Sequence, residues 1–207
     1  MDHAVESVLA EYDERRKREF ELFSTLGWKK VHQRSEEFLM SIGPEAGLFL
    51  NILIKEARPR RILELGTSYG HSTIYLAEAA RAVGGTVVSC DISAEKQDYA
   101  RTMLRRAGID EHVKFELGNA HAIVQTLDAE VDFVLLDLQT HAYIGIFDIL
   151  FPKLAAGAFV AADNMIMPKS PEADDYRRHI RTKADIDSIL LPVGQGIELS
   201  RYMRSQT

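Results

Sequence analysis

The stretch "LELGTSYGHST", residues 63–73, joins a strand pattern to a helix pattern through a turn that contains two glycines. Gly66 and Gly70 allow a tight turn and a close approach of the backbone to another group. The helix that follows would offer free N–H groups and the positive end of its dipole to a ligand. Glycine pairs also occur in loops that bind nothing, so the stretch predicts a strand–loop–helix unit and leaves the ligand open.

Short apolar strands and helical segments alternate along the chain around this unit. The strand patterns cover 61–65, 86–91, 113–117, 131–137 and 157–163. The helical patterns lie at 3–24 and 43–57, and then near 70–83, 94–107, 120–128 and 141–155. Strands that are regularly separated by helices predict an α/β fold, with a parallel sheet and helices on both faces. Residues 185–203 predict two further strands joined by a glycine-containing turn, an antiparallel hairpin that closes the sheet.

The composition argues against several classes of protein. The 207 residues are 46% hydrophobic, which is typical of one globular domain with a sizeable core. Lys and Arg number 25 and Asp and Glu 31, a balance that argues against a nucleic-acid-binding surface. Cys90 is the only cysteine, so an internal disulfide is excluded and a reducing compartment is expected. With no signal-peptide pattern and no apolar run of membrane-spanning length, the sequence predicts a cytoplasmic protein without membrane contact.

Acidic residues lie where the predicted strands end. Glu64 is at the end of the first strand, Asp91 ends the second, and Asp137 ends the fourth in "VDFVLLDLQTHAY", residues 131–143. Ligands of such sheets bind beyond the carboxyl ends of the strands, and an acid roughly 20–25 residues after the glycines suits the two hydroxyls of a ribose. The pattern E-x-G-x-x-x-G lacks the second glycine of the dinucleotide motif G-x-G-x-x-G, and no Tyr-x-x-x-Lys pair follows the central strands. Both features disfavour a nicotinamide-dependent oxidoreductase.

The glycine motif resembles the first motif of class I S-adenosylmethionine-dependent methyltransferases. Further blocks follow in the order seen in the cation-dependent O-methyltransferases, which include catechol and caffeoyl-CoA O-methyltransferases: "SIGPEAGLFLNILIKEARPRRILELGTSYGHSTIYLAEAA", "GNAHAI", "DFVLLDLQTHAY" and "GAFVAADNMIMP". The resemblance covers roughly residues 40–203. It implies a Rossmann-like, doubly wound seven-stranded sheet with an antiparallel last strand. It also implies a single methyltransferase domain in which residues 1–40 form a helical cap and residues 41–207 form the S-adenosylmethionine-binding core.

The resemblance also assigns site residues. It implies that the methyl donor is bound by Ile42, Gly43, Glu64, Gly66, Ser72, Asp91, Ile92, Asn119, Ala120 and Asp137. It implies that a divalent cation is bound by Asp137, Asp163 and Asn164, whose oxygen atoms favour a hard ion such as Mg²⁺. Each metal candidate has a structural alternative, a turn for the Asp163–Asn164 pair and a helix cap for Asp137. His71, in the same motif, is expected to be exposed.

The catalytic prediction rests on Asp137 and His141, because this sequence departs from its relatives at one position. Relatives carry a lysine three residues after the metal-binding Asp, where this chain has Thr140, and His141 is the nearest group that titrates close to neutral pH. The open alternatives are activation by the ion alone, an acceptor that is not a catechol, and a protein that binds the donor with weak catalysis or none. The implied acceptor is a small aromatic hydroxyl compound, bound by the loops 28–41 and 164–175, and the resemblance suggests a homodimer. Nucleic-acid methylation is disfavoured, since no Asn-Pro-Pro-aromatic motif follows the fourth strand.

Overall fold

The computed structural model describes residues 1–203. For Trp28, Lys29, His32 and Ser35 it describes only the backbone. Residues 204–207 of the predicted core lie outside the described residues. Seven strands in this described part form one mixed sheet: β1 (Arg61–Leu65), β2 (Thr86–Asp91), β3 (Val113–Leu117), β4 (Val131–Leu136), β5 (Leu154–Ala162), β6 (Ile186–Leu191) and β7 (Ile197–Tyr202). Their order is β3-β2-β1-β4-β5-β7-β6. The first five are parallel, and β7 runs antiparallel between β5 and β6. The predicted seven-stranded sheet with an antiparallel last strand is confirmed.

Helices cover both faces of the sheet, as the alternation predicts. They are α1 (His3–Leu26), α2 (Trp28–Gln33), α3 (Pro44–Ala57), α4 (His71–Val83), α5 (Ala94–Arg106), α6 (Ala120–Thr126), α7 (Tyr143–Leu150) and α8 (Pro171–Ile180). Side chains alternate along a strand, so Ile62 of β1 belongs to the core cluster that includes residues of α1, α3, α4 and α5. Leu63 belongs to the cluster that includes residues of α6, α7 and α8. No helix within residues 1–203 has the length and apolar character needed to cross a bilayer.

The N-terminal helix α1 packs on the same face as α3, α4 and α5. Val5, Val8, Leu9 and Tyr12 form its buried stripe, and the Tyr12 hydroxyl donates a hydrogen bond of 2.6 Å to the carbonyl of Tyr69 in the β1–α4 loop. Further along the helix, the buried carboxylate of Glu19 accepts a hydrogen bond of 2.8 Å from the Leu39 N–H. The predicted N-terminal helices are therefore tied to the loops at the carboxyl edge of the sheet.

Two predicted boundaries in the second half of the chain were wrong. The helix expected at 141–155 ends at Leu150, because a 3₁₀ turn containing Pro152 follows and β5 already begins at Leu154, which pairs with Val131 of β4. The loop expected at 164–175 ends where α8 begins. There the Ser170 hydroxyl accepts a hydrogen bond of 3.0 Å from the Ala173 N–H, and a proline occupies the first turn. A serine cap followed by proline is an ordinary helix start, so the sequence contained this signal.

Gly47 of α3 and Gly145 of α7 are helical glycines with opposite surroundings. A Cβ on Gly47 would overlap the buried ring of Tyr75 in α4, whereas a Cβ on Gly145 would meet nothing within 4 Å. We expect Gly47→Ala to lower the free energy of unfolding by roughly 1–3 kcal/mol through overpacking. Gly145→Ala should raise it by roughly 0.5–1 kcal/mol, because alanine favours helix. Urea unfolding measures both changes, and a Gly47→Ala protein as stable as the wild type would contradict the packing of α3 on α4.

Candidate active site

A cavity of about 480 Å³ opens at the carboxyl ends of β1, β2, β4 and β5. The strand order reverses between β1 and β4, so the loops after these two strands diverge and leave a crevice, the usual ligand position in such sheets. Seven of the residues predicted to bind the donor or the metal line this cavity: Ile42, Gly66, Ser72, Asp91, Asp137, Asp163 and Asn164.

Gly66 begins the loop between β1 and α4 and has a backbone that only glycine adopts easily. Its φ is 109°, and a Cβ at this position would overlap the carbonyl oxygen of Asp137 after β4. Its N–H donates a hydrogen bond of 2.9 Å to the carbonyl of Cys90 in β2. The glycine therefore allows the backbones that leave β1 and β4 to approach at the floor of the cavity.

Glu64 was predicted to contact the donor, but its carboxylate lies behind the loop with no exposed surface. It accepts hydrogen bonds of 2.6 Å from the hydroxyls of Ser72, Thr73 and Ser89. Burial raises the pKa of Glu64 to about 7, against the lowering effect of these hydroxyls. The Glu64 carboxylate therefore joins β1 and β2 to the first turn of α4 and stabilises the loop between β1 and α4.

Asp91 is half-buried at the end of β2 and faces the cavity. One of its carboxylate oxygens accepts a hydrogen bond of 2.7 Å from the Ser68 N–H, and the other accepts one of 2.9 Å from the Ser93 N–H. Each oxygen keeps a further lone pair for a ligand hydroxyl. The two backbone contacts hold the carboxylate in one orientation, as a ribose-binding acid requires.

The remaining predicted donor contacts do not line this cavity. Ile92 is 72% exposed beside Asp91, and Gly43 belongs to the wall of a second cavity. The Asn119 side chain is exposed and caps α6, where it accepts a hydrogen bond of 2.9 Å from the His121 N–H, and Ala120 follows it. The Gly118 N–H donates to the Asp91 carbonyl at 2.8 Å, so the Asn119 segment lies next to the Asp91 end of the cavity.

Asp137, Asp163 and Asn164 meet at the ends of β4 and β5. The Asn164 side-chain amide donates a hydrogen bond of 3.1 Å to the Asp137 carboxylate, and Asn164 has a positive φ of 64°, which asparagine tolerates. Asp163 is 1% exposed, and its Oδ1 is buried without a hydrogen-bond partner. Burial raises the pKa of Asp163 to about 7, and burial together with the Asp163 charge raises the pKa of Asp137 well above its usual value.

This arrangement fits a hard divalent cation. Two adjacent carboxylates with raised pKa values and one unpaired buried oxygen are unfavourable on their own, and a bound cation would relieve both conditions. The candidate ligand atoms on Asp137, Asp163 and Asn164 are all oxygen, and such a ligand set suits Mg²⁺ better than zinc. Within residues 1–203, no three His, Cys, Asp or Glu side chains cluster to hold a metal, so the candidate set depends on the Asn164 amide oxygen.

The segment after Asp137 brings Thr140 and His141 to the cavity wall. The Thr140 hydroxyl lies 3.1 Å from the Ser170 hydroxyl, so Thr140 joins the segment after β4 to the start of α8. The His141 side chain is exposed at the cavity edge. Its role as a base stays a prediction.

His71, expected to be exposed, is buried and forms part of the cavity wall. Its Nδ1 lies 2.6 Å from the Ser41 hydroxyl, which also accepts a hydrogen bond of 3.0 Å from the Gly43 N–H. Burial lowers the pKa of His71 to about 3, so the ring is neutral. It ties the segment 39–43 to α4, a role that no local pattern indicates because Ser41 is thirty residues away along the chain.

Fold and site together define a Rossmann-like α/β protein with a ligand cavity at its topological switch point. The chain belongs to the O-methyltransferase family, whose model matches residues 16–203.

Individual relatives agree with the family. A transmembrane O-methyltransferase from Propithecus coquereli is 31% identical over 150 residues, covering 69% of this chain and 54% of the relative. Caffeoyl-CoA O-methyltransferase 1 from Zea mays is 27% identical over 189 residues, covering 80% of this chain and 73% of the relative. The cofactor-bound crystal structure of Rv0187 from MTB superposes with a TM-score of 0.72 and 25% identity, covering 80% and 83% of the two chains. The chain spans about half the length of the first two curated relatives that it matches.

The buried Glu64 makes stability depend on pH. Its pKa is raised from 4.5 to about 7, so the folded protein keeps a proton that the unfolded chain loses between these values. The free energy of unfolding should therefore fall as the pH rises through this window, by roughly 3 kcal/mol for such a shift. Glu64→Gln, which cannot ionise, should lack this component. Denaturant unfolding at a series of pH values measures it, and identical pH profiles for the two proteins would contradict the raised pKa.

Proposed function

We propose that the protein transfers the methyl group of S-adenosylmethionine to a hydroxyl of a small catechol-like or phenolic acceptor, assisted by a divalent cation such as Mg²⁺. The observation that carries the proposal is the buried Asp137–Asp163 pair beside Asn164, with an unpartnered carboxylate oxygen on Asp163, in the cavity that Asp91 also lines. Membership of the O-methyltransferase family supports the reaction class. The cofactor-bound neighbour Rv0187 supports the binding of a cofactor in this fold.

The charge of the cavity wall supports a sulfonium donor. The donor carries a positive charge and no phosphate, so carboxylates suit it better than a phosphate-binding turn. Asp91 would accept hydrogen bonds from the ribose hydroxyls, and the exposed Asn119 segment next to it would meet the adenine. Ile42 and Ser72 would bound the methionine end, with Asp137 nearest the transferring methyl.

The protein groups in this reaction mainly align the acceptor and accept its proton. Asp137, Asp163 and Asn164 would hold the cation, which when bound supplies Lewis-acid stabilisation of an oxyanion. A phenol has a pKa of about 10, so some such stabilisation or a base is needed near neutral pH. Thr140 is no base at neutral pH, and we assign the proton to the His141 imidazole, which lies at the cavity edge.

Three further properties belong to the same proposal: a single methyltransferase domain, a cytoplasmic location and a homodimer. Cys90 is a buried free cysteine, which is consistent with a reducing compartment. Sedimentation analysis of the purified chain tests the dimer directly.

A second candidate is a protein that binds the donor without catalysing transfer. Thr140 favours it, because the family's lysine is missing and the threonine hydroxyl is engaged with Ser170. This protein would bind donor and cation as the enzyme does, so only turnover separates the two. The nicotinamide-dependent oxidoreductase is the weakest alternative, because the glycine spacing disfavours it.

Thermal unfolding tests the donor. S-adenosylmethionine at one hundred times its dissociation constant should stabilise the native state by about 2.7 kcal/mol. This corresponds to a rise in Tm of roughly 5–10 °C for a chain of this size. Asp91→Ala should abolish most of the rise, because the ribose hydroxyls lose their acceptor. NAD(H) should leave the Tm unchanged, and a rise with NAD(H) in place of S-adenosylmethionine would contradict the proposed donor.

Thermal unfolding also tests whether the protein binds a divalent cation. Mg²⁺ should raise the Tm of the wild type and a chelator should reverse the rise, whereas Asp163→Asn should no longer respond to Mg²⁺. A Mg²⁺ response that persists in Asp163→Asn would place the ion elsewhere.

His141→Ala tests the base. If His141 accepts the acceptor's proton, the turnover rate at saturating acceptor should fall about a hundredfold or more. His3→Ala is the matched control, because His3 is also exposed but lies at the start of α1, outside the cavity wall. Turnover that survives in His141→Ala would remove the histidine from the mechanism and leave activation to the cation.

A further inference from the structure

The hydroxyl of Tyr143 contacts the two backbone segments that carry the candidate metal ligands. Tyr143 is the first residue of α7, and its side chain is fully buried. Its hydroxyl donates a hydrogen bond of 3.0 Å to the Leu136 carbonyl and accepts one of 3.2 Å from the Leu138 N–H. The Asp163 carbonyl, at 3.3 Å, shares the same hydroxyl proton. One side chain therefore holds the backbone on both sides of Asp137 and the backbone of Asp163.

The Leu136 carbonyl is the point at which β4, β5 and Tyr143 are joined. Besides the Tyr143 hydroxyl, it accepts a hydrogen bond of 2.9 Å from the Asp163 N–H, so both of its lone pairs are used. The Leu138 N–H lies beyond the end of β4 and finds its partner in the Tyr143 oxygen. Loss of this hydroxyl would leave backbone groups on both sides of Asp137 without a partner.

The candidate ligand carboxylates depend on this backbone, because few hydrogen bonds hold their own side chains. The Asp137 carboxylate accepts one hydrogen bond from the Asn164 amide, and the Asp163 Oδ1 has no partner among the described residues. The positions of the two carboxylates are therefore set mainly by where their backbones lie. Groups that hold the ligands of a metal in place contribute to its affinity even when they do not contact the ion.

We propose that the Tyr143 hydroxyl is a positioning group for the divalent cation, and that it sets the spacing of Asp137 and Asp163 through their backbones. The inference rests on the proposed function, because it takes these two residues and Asn164 as the ligands of the ion. It adds to the site a side chain whose hydrogen bonds all go to backbone atoms.

Tyr176 of α8 provides a matched control. It is also a fully buried tyrosine, and its ring centroid lies 5.4 Å from that of Tyr143. Its hydroxyl has no hydrogen-bond partner within the described part of the chain. Tyr176→Phe therefore removes a buried hydroxyl from the same cluster without removing a hydrogen bond, whereas Tyr143→Phe removes the contacts to the metal-bearing segments. Both variants keep the aromatic ring, so the packing of α7 on α8 is retained.

Titration of the full chain with Mn²⁺ tests this proposal without turnover. Mn²⁺ prefers oxygen ligands as Mg²⁺ does, and the electron paramagnetic resonance signal of the free ion measures its affinity. Tyr143→Phe should bind Mn²⁺ roughly ten- to a hundredfold more weakly than the wild type, which is the usual effect of removing a group that orients metal ligands. Tyr176→Phe should bind Mn²⁺ with wild-type affinity.

S-adenosylhomocysteine, titrated calorimetrically in the presence of a chelator, shows whether the rest of the cavity is intact. Both variants should bind it as the wild type does, because its proposed ribose acceptor, Asp91, lies at the end of β2 and is held by the Ser68 and Ser93 N–H groups. A hydroxyl that only stabilises the fold would lower the Tm of Tyr143→Phe and leave its Mn²⁺ affinity unchanged.

The outcomes separate this inference from the function on which it rests. Equal Mn²⁺ affinities for the wild type and Tyr143→Phe would overturn the inference, whatever the change in Tm. Equal losses in Tyr143→Phe and Tyr176→Phe, or loss of S-adenosylhomocysteine binding in Tyr143→Phe, would overturn it too, because the tyrosine would then support the whole cavity. A wild type that binds no Mn²⁺, or Asp163→Asn that binds it with wild-type affinity, would instead contradict the cation site of the proposed function.

Discussion

The contact between the chain segments that leave β1 and β4 sets the position of the groups in the site. Gly66 adopts a backbone conformation with φ of 109° and lies so close to the Asp137 carbonyl that no side chain would fit. At the same contact, the Asp137 N–H donates a hydrogen bond of 2.9 Å to the Leu65 carbonyl, which joins the ends of β4 and β1. Because the two loops are held together here and then diverge, the cavity opens directly above this contact.

The buried acids Glu64 and Asp163, which lie near this contact, differ in the number of hydrogen bonds that their carboxylates accept. Burial raises the pKa of both Glu64 and Asp163 to about 7. Glu64 is surrounded by three hydroxyl donors and stabilises the loop, whereas Asp163 keeps an unpartnered oxygen beside a second carboxylate. A buried acid without its full set of donors is costly, and this cost is the physical reason to expect a cation at Asp163.

The N-terminal helix contributes to the site through the segment 39–43. Glu19 of α1 holds the Leu39 N–H, and His71 of α4 holds the Ser41 hydroxyl. The segment lies between the two cavities, so the packing of α1 affects the shape of both. A helix that the sequence presents only as a cap is thus coupled to the ligand-binding edge of the sheet.

The sequence by itself determined the elements and the strand ends, because period-two and helical patterns and terminal acids such as Asp91 and Asp137 are local features. It placed seven predicted donor and metal residues in one cavity, since the carboxyl ends of parallel strands meet at one edge. The prediction misplaced the start of α8, although the Ser170 cap and the proline after it are local signals. Only the tertiary structure decided the burial of His71 and Glu64. Burial and hydrogen-bond partners depend on segments far apart in the chain, and a one-dimensional pattern does not record which of them meet.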